Sequence, residues 1–363
     1  MKILSLATSF ASEEARAYNY PSGVAYYRQI RPFQKLGWTI DWWQPPFGKV
    51  DKIEDVLLEK FRQYDVINTK HIDNPDVITM VLAICDHLNK PLVVDFDDDL
   101  FVTDGKVGTD KQFYKQNTEL RDMVELLMKE ATAITVSVPH LAKVYKPYAT
   151  NIFTLPNLCF PEDWTYPKKQ QEDGRPTVGW AGTGSHKADH EILTPVMRRV
   201  YEKNPEVVFS FIGHVSPDDI TWLGSIPRAN WSVYEPLTYW QGAEKCWPQH
   251  LANQGYDIGL APLIDSQTNA GRSLAKWFEY TMTDTPMIAS NIGPYKELHH
   301  QEEVLLCTTE DDWVDNINIL LEHPELRETY VRESKFRINR DYTDPTRWGE
   351  VYTELAKVGF RAR

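Results

Sequence analysis

Between residues 269 and 279 an amide, two cations and a carboxylate recur at the spacing of one helix face. Asn269, Arg272, Lys276 and Glu279 fall on a narrow stripe at 3.6 residues per turn, whereas Leu274, Trp277, Phe278 and Thr281 point the other way. The spacing predicts a helix with a buried apolar back and a charged front. A helix N-terminus with free N–H groups plus Arg272 and Lys276 suits a diphosphate, and Glu279 one turn further in can accept from the hydroxyls of a ribose. A solvated face with Lys276 and Glu279 paired at i,i+3, worth about a few tenths of a kcal/mol, produces the same pattern. Pattern alone does not choose between the two.

Three further groups have the right chemistry. Thr177–Ala181 runs into Gly182-Thr183-Gly184-Ser185-His186-Lys187, a glycine loop that lets a backbone approach a phosphate, although a tight β–α turn needs the same residues. Pro91–Asp95 is an apolar run that breaks into acids at Asp95, Asp97, Asp98 and Asp99. Acids so close together raise one another's pKa and can orient hydroxyls, accept a proton or bind a cation; capping of the next turn or a solvated acidic loop are the alternatives. Near the N-terminus, Gly23 precedes Tyr27 and Arg28. Tyr27 belongs to the apolar stripe Val24, Tyr27, Ile30, Phe33, whereas Arg28 escapes it and is the better candidate to meet phosphate or a second substrate. His71, just past the strand Asp65–Thr69, ranks below the acids.

These residues need elements to hold them. Short apolar runs alternate with helical patterns throughout, which predicts an α/β chain of parallel strands covered by helices on both faces. The expected strands of the first half are 2–7, 38–43, 65–69, 91–95, 133–137 and 152–155, with helices over 24–36, 56–63, 77–88 and 111–130. Those of the second half are 177–181, 207–212, 232–234, 257–260, 287–289 and 304–306, and the chain from 324 to 363 is helical in pattern. A polar stretch at 166–175 interrupts the rhythm and reads as a linker between a domain at 1–165 and one at 176–340, with a terminal helix in 341–363. At 363 residues the chain suits two domains. A net charge of −13 disfavours non-specific attraction to nucleic acid or anionic lipid. No run approaches the ~20 apolar residues of a membrane span. Cys85, Cys159, Cys246 and Cys307 lack C-x-x-C spacing and read as reduced thiols of a cytoplasmic protein.

The segment around Asn269 resembles the donor-binding segment of nucleotide-sugar glycosyltransferases with the GT-B fold, of the retaining family 4 type. The matching pattern is Asn-x-x-Lys/Arg-Ser-x-x-Lys-x-x-Glu-Tyr, carried by Asn269, Arg272, Ser273, Lys276, Glu279 and Tyr280. The resemblance implies two Rossmann-like domains facing across a cleft, the second holding a UDP- or GDP-sugar and the first an acceptor, with the last helix crossing back to the first. It implies transfer with retention, the leaving phosphate taking the acceptor proton, and no required metal or other cofactor. Gly182, Thr183, His186 and Lys187 would flank the donor, His186 and Lys187 standing where the family has Arg and Lys. Gly23, Tyr27, Arg28 and Asp95 would face acceptor or phosphate, and Asp97, Asp98 and His71 would serve catalysis. One departure is Gly271, where many relatives have a Glu. The acceptor would be a glycan or a hydroxymethylated base in phage-type DNA; a sugar-nucleotide epimerase of the same fold, or a catalytically silent nucleotide-binding protein, are the rivals.

Overall fold

The computed structural model describes residues 1–7, 21–47, 51–102, 117–171, 173–182, 184–213, 220–234 and 246–360. All twelve expected strands form, within a residue or two of the expected bounds. The first sheet contains β1 (Lys2–Leu6), β2 (Thr39–Trp43), β3 (Val66–Lys70), β4 (Leu92–Phe96), β5 (Ala133–Val136) and β6 (Ile152–Thr154), in the order β2-β1-β3-β4-β5-β6. The second contains β7 (Thr177–Ala181), β8 (Val208–Ile212), β9 (Trp231–Tyr234), β10 (Ile258–Ala261), β11 (Met287–Ser290) and β12 (Leu305–Cys307), in the order β12-β11-β10-β7-β8-β9. Every named pairing is parallel. Parallel strands covered on both faces must be apolar along their length, and β4, for example, is buried at all five positions. Strand order reverses at β1 in the first sheet and at β7 in the second. Crevices at the carboxyl ends of such reversals are where open α/β sheets bind ligands.

Helices depart from expectation in instructive ways. The expected helix 24–36 is interrupted by a π segment at Tyr26–Ile30, between Gly23–Ala25 and Arg31–Lys35, and all five π residues are buried. A wider turn carries side chains out of the 3.6-residue register, so Arg28 points inward. Before the helix Thr194–Lys203 the chain runs as a 3₁₀ helix, Gly184–Leu193, and Pro195 in the first turn explains why the α geometry starts there. Of the expected helix 111–130, residues Thr118–Glu130 are helical, capped by the Asn117 side chain on Leu120 N, and 111–116 lie outside the described residues. The acidic N-terminus of Glu310–Glu322 closes with a capping box between Thr309 and Asp312.

Each sheet has its own core. Leu4, Ile67, Val94 and Ile134 belong to the first, and Val178, Phe209, Leu260 and Ile288 to the second. A third cluster joins the halves: Tyr26, Tyr27 and Cys159 pack with Leu274, Trp277 and Phe278. The polar stretch at 166–175 lies along the second half, with Lys169 N on Ala252 O at 2.9 Å and Gln171 Nε2 on Gln254 O at 2.7 Å. The helix Thr346–Val358 packs on the first sheet. Its Trp348, Val351, Tyr352 and Leu355 share a core with Ile3, Phe33, Val66 and Val93, and Tyr352 donates to Asn68 Oδ1 at 3.0 Å. No described helix is long and apolar enough to cross a membrane.

Candidate functional site

The reversal of the second sheet, between β7 and β10, is pinned by Tyr280. Its hydroxyl accepts from Ala181 N at 3.0 Å and donates to Leu260 O at 3.1 Å, tying the carboxyl ends of both strands. Gly182 follows β7, and a Cβ there would lie 2.3 Å from the Trp180 ring. The missing side chain therefore admits Trp180, a different use of the glycine from phosphate approach. Trp180 in turn forms the floor under Lys276, whose Nζ sits 4.9 Å from its centroid and donates to Ala181 O.

The single helix expected across 269–281 is two pieces, Gln267–Ala270 and Ala275–Met282, joined by a turn. Ser266 caps the first by accepting from Asn269 N at 3.2 Å, and Ser273 Oγ accepts from Ala275 N at 3.4 Å at the start of the second. The four-residue stripe is consequently divided. Asn269 is buried and its Nδ2 is committed to Asp189 Oδ1 at 2.8 Å and Ile264 O at 3.0 Å, so it builds the site from behind. Arg272 lies on the turn. Lys276 and Glu279 sit one turn apart on the second piece. Burial drives the Lys276 ammonium down to about 8, helped by Arg272 and resisted by Glu279. Burial likewise raises Glu279 to about 7, against the pull of Lys276 and of hydrogen bonding from Trp247 and Tyr27. An anion entering beside Lys276 would favour its charged form.

At Gly271 a side chain of the first half comes close. A Cβ at that position would stand 2.9 Å from Leu141 Cδ2, a core side chain of the first half in the helix Pro139–Tyr145. A glutamate there would require the end of the Leu141 side chain to shift.

The acidic run after β4 does not act as one cluster, because each carboxylate has its own donor. Asp95 is buried and takes Arg28 through both oxygens at 2.7 Å, and Thr135 Oγ1 at 2.6 Å. Arg28, 1% exposed, also donates to Leu155 O at 2.7 Å and Asn157 Oδ1 at 3.0 Å. Both expectations for this pair are corrected: it is a core ion pair, with four of its donor contacts spent inside the first half. Asp97 faces Lys70 Nζ at 3.2 Å. Asp99 holds Phe101 N at 2.9 Å and receives Gln267 Nε2 of the second half at 3.1 Å. Asp98 Oδ1 reaches Arg272 Nη1 at 3.4 Å. His71 stacks on Phe96 and stands 3.5 Å from Asp73, its basicity lowered by burial and Lys70. Gly23 opens its helix with nothing within 4 Å of where a Cβ would be.

Through these contacts the ends of β4 and β6 meet the chain that follows β10. Asn157, bound to Arg28 on one side, donates to Ser273 Oγ at 3.0 Å on the other. The site thus collects Asp97, Asp98, Lys70 and His71 from the first half and His186, Arg272, Lys276 and Glu279 from the second. Tyr27 contributes by packing between the halves and bonding to Glu279. Thr183 lies outside the described residues, and so does the Lys187 side chain. Sequence reasoning missed Asp189 and Lys70. Lys70 could have been found from its position at the carboxyl end of a strand beside the reversal, and Asp189 only from its i,i+3 spacing to His186, since its other partners lie 75 and 80 residues away.

Because Asp98 shares Arg272 with any incoming anion, Asp98→Asn is expected to tighten nucleoside diphosphate binding by up to ~5-fold, the range of a partly exposed ion pair. Titration calorimetry on the two proteins would show it; equal or weaker affinity in the variant would mean that Asp98 does not compete.

No protein-family model matches the chain, and no curated protein sequence does. Solved structures do. The chain is similar to sucrose-phosphate synthase from Thermosynechococcus elongatus, at 13% identity and a TM-score of 0.68, over 99% of this chain and 100% of that one. It is similar to HepE from Anabaena in complex with UDP-glucose, at 14% identity and a TM-score of 0.62, over 98% and 100%. A TarM variant of S. aureus in complex with fondaparinux, alpha-GlcNAc-glycerol and UDP matches at 14% identity and a TM-score of 0.59, over 84% of this chain and 59% of that one. Likeness at this level of identity speaks for the fold. The chain has the GT-B fold, with two α/β units of parallel strands.

Proposed function

We propose that the chain is a glycosyltransferase that moves a sugar from a nucleotide diphosphate sugar to an acceptor hydroxyl. The observation that carries this reading is the convergence of Arg272 and Lys276 at the carboxyl end of the β7–β10 reversal, with the Glu279 carboxylate one turn beyond. Two cations against a low-dielectric aromatic floor suit a diphosphate, and their charge would stabilise the leaving group as the anomeric C–O bond breaks. Glu279 would accept from ribose hydroxyls. Among the similar structures, HepE holds UDP-glucose and the TarM variant holds UDP, which supports a UDP-sugar ahead of a GDP-sugar.

The acceptor would enter from the first half, where Asp97, Asp98, Lys70 and His71 line the approach. Its hydroxyl oxygen bonds to the anomeric carbon on the face the phosphate leaves, and its proton passes to the departing phosphate oxygen. Configuration is then retained without a protein nucleophile. A glycan acceptor fits the acidic chain better than modified DNA, since a net charge of −13 opposes approach to a phosphate backbone.

With its preferred nucleotide sugar and no acceptor, the protein is expected to give slow hydrolysis at most, followed by chromatography of the nucleotide sugars. Rapid appearance of an epimeric nucleotide sugar would replace this reading with that of an epimerase.

A further inference from the structure

His186 is held in one tautomer by a carboxylate that has no other choice. Asp189, 2% exposed, accepts three donors: Ile264 N and Asn269 Nδ2 on Oδ1, each at 2.8 Å, and His186 Nδ1 on Oδ2 at 2.7 Å. A backbone N–H can only donate, and the Asn269 nitrogen is assigned independently by its second bond to Ile264 O. The Nδ1 of His186 must then carry the proton that Asp189 accepts. Its Nε2 is a lone pair whenever the ring is neutral.

The ring's surroundings keep it neutral. His186 is 9% exposed and lies close enough to Arg272 and Lys276 for both charges to oppose protonation; with burial as the larger cause, its basicity is pushed down to about 4. A neutral imidazole beside two cations adds nothing to the binding of a diphosphate. What it adds is an acceptor. Around His186, Lys276 and Arg272 only donate and both Asp189 oxygens are occupied from behind, so the other acceptors are Glu279, read above as the partner of the ribose, and the buried Asn269 Oδ1. Nε2 has no hydrogen-bond partner among the described residues.

We propose that His186 Nε2 accepts a hydrogen bond from a hydroxyl of the transferred sugar, with Asp189 as the positioning residue that fixes its tautomer. This rests on the reading of the site as a nucleotide-sugar site, and it changes the part His186 plays there, from replacement of a phosphate-binding cation to selection of the sugar.

The test compares affinities for UDP and GDP with those for UDP-glucose, UDP-N-acetylglucosamine and GDP-mannose, by calorimetry on the full chain. In His186→Asn the amide N–H can still reach Asp189, but nothing occupies the place of Nε2. In His186→Gln the amide oxygen falls near that place. The inference expects the Asn variant to bind the matching nucleoside diphosphate like the wild type and the nucleotide sugar ~2–10-fold more weakly, the range for one neutral hydrogen bond. The Gln variant should recover part of the loss, and the change in diphosphate affinity between pH 7 and pH 6, to which Glu279 and Lys276 also contribute, should be the same in the wild type and the Asn variant. Three results would overturn it: equal losses for diphosphate and nucleotide sugar in the Asn variant, no loss for either, or a gain in diphosphate binding as pH falls through 6.5 that the wild type shows and the Asn variant lacks. Melting temperatures of both variants separate misfolding from lost contacts, and the Gln variant keeps the question open if Asn does not fold. Failure of the wild type to bind any of the five compounds would take down the reading of the site itself, and this inference with it.

Discussion

Lys276→Ala and Arg272→Ala are each expected to weaken nucleoside diphosphate binding by about 1.5–3 kcal/mol, the range for hydrogen bonds to charged groups. The loss at Lys276 should be the larger. Its ammonium already rests on Trp180 and the Ala181 carbonyl, so little ordering remains to be done when the ligand arrives. A second readout follows from its lowered basicity. Free, the ammonium titrates near 8; beside a diphosphate it is held protonated to higher pH. Binding at pH 8.5 should therefore take up a proton, seen as a calorimetric enthalpy that changes with the ionisation enthalpy of the buffer. The uptake should vanish in Lys276→Ala. Folding carries the opposite sign: because the folded value lies below the unfolded one, the charged lysine costs stability below pH 8, and that cost fades as pH rises toward 10.5. Unchanged affinity in both variants would remove the two cations from the site.

Arg28→Ala is expected to have the largest effect on stability. It would leave Asp95, buried in β4, with Thr135 as its one remaining hydrogen-bond partner among the described residues, and breaking a buried pair by removing one member costs about 3–5 kcal/mol. Against a typical total of about 5–15 kcal/mol this is a large share. A fall in melting temperature of roughly 6–20 °C is the expected result. Replacing both members, as in the double variant Arg28→Met with Asp95→Leu, should recover much of the loss, because no charge is then stranded. If Arg28→Ala melts within 2 °C of the wild type, the pair is not holding the first half together. The substitution also removes one neighbour of Asn157, whose other amide bond reaches Ser273 across the halves. Ligand affinity in the surviving folded protein would report how much of the site's alignment depends on that link.

Strands were legible because burial on two faces leaves a mark on every residue of a run. Leu92-Val93-Val94 needs no partner to be recognised as apolar. Helices were legible as to existence, and less so as to continuity. Nothing in the Val24–Phe33 stripe announces the π segment that turns Arg28 inward, and nothing in the stripe from Asn269 to Glu279 announces the break after Ala270. The charged residues divide along the same line. Lys276 and Glu279 were legible as a pair because one helix sets their spacing. Which of Asp95, Asp97, Asp98 and Asp99 meets which donor is decided by segments tens to nearly two hundred residues away. Asp189 shows the limit most clearly: its i,i+3 spacing from His186 is local, but its other two donors, Ile264 N and Asn269 Nδ2, lie 75 and 80 residues away.

The packing of the helix Thr346–Val358 on the first sheet has a consequence for the order in which the protein can be made. Residues forming the first core leave the ribosome early, yet the helix that supplies Trp348, Val351, Tyr352 and Leu355 to it is synthesised only after the whole second sheet and the helices Glu310–Glu322 and Pro324–Asp341. At the ~5–20 residues per second of synthesis, that is a wait on the order of ten seconds or more. During it Phe33, Val66 and Val93 face water or a chaperone. The nascent chain therefore carries an apolar groove along its first folding unit that only its own last helix relieves.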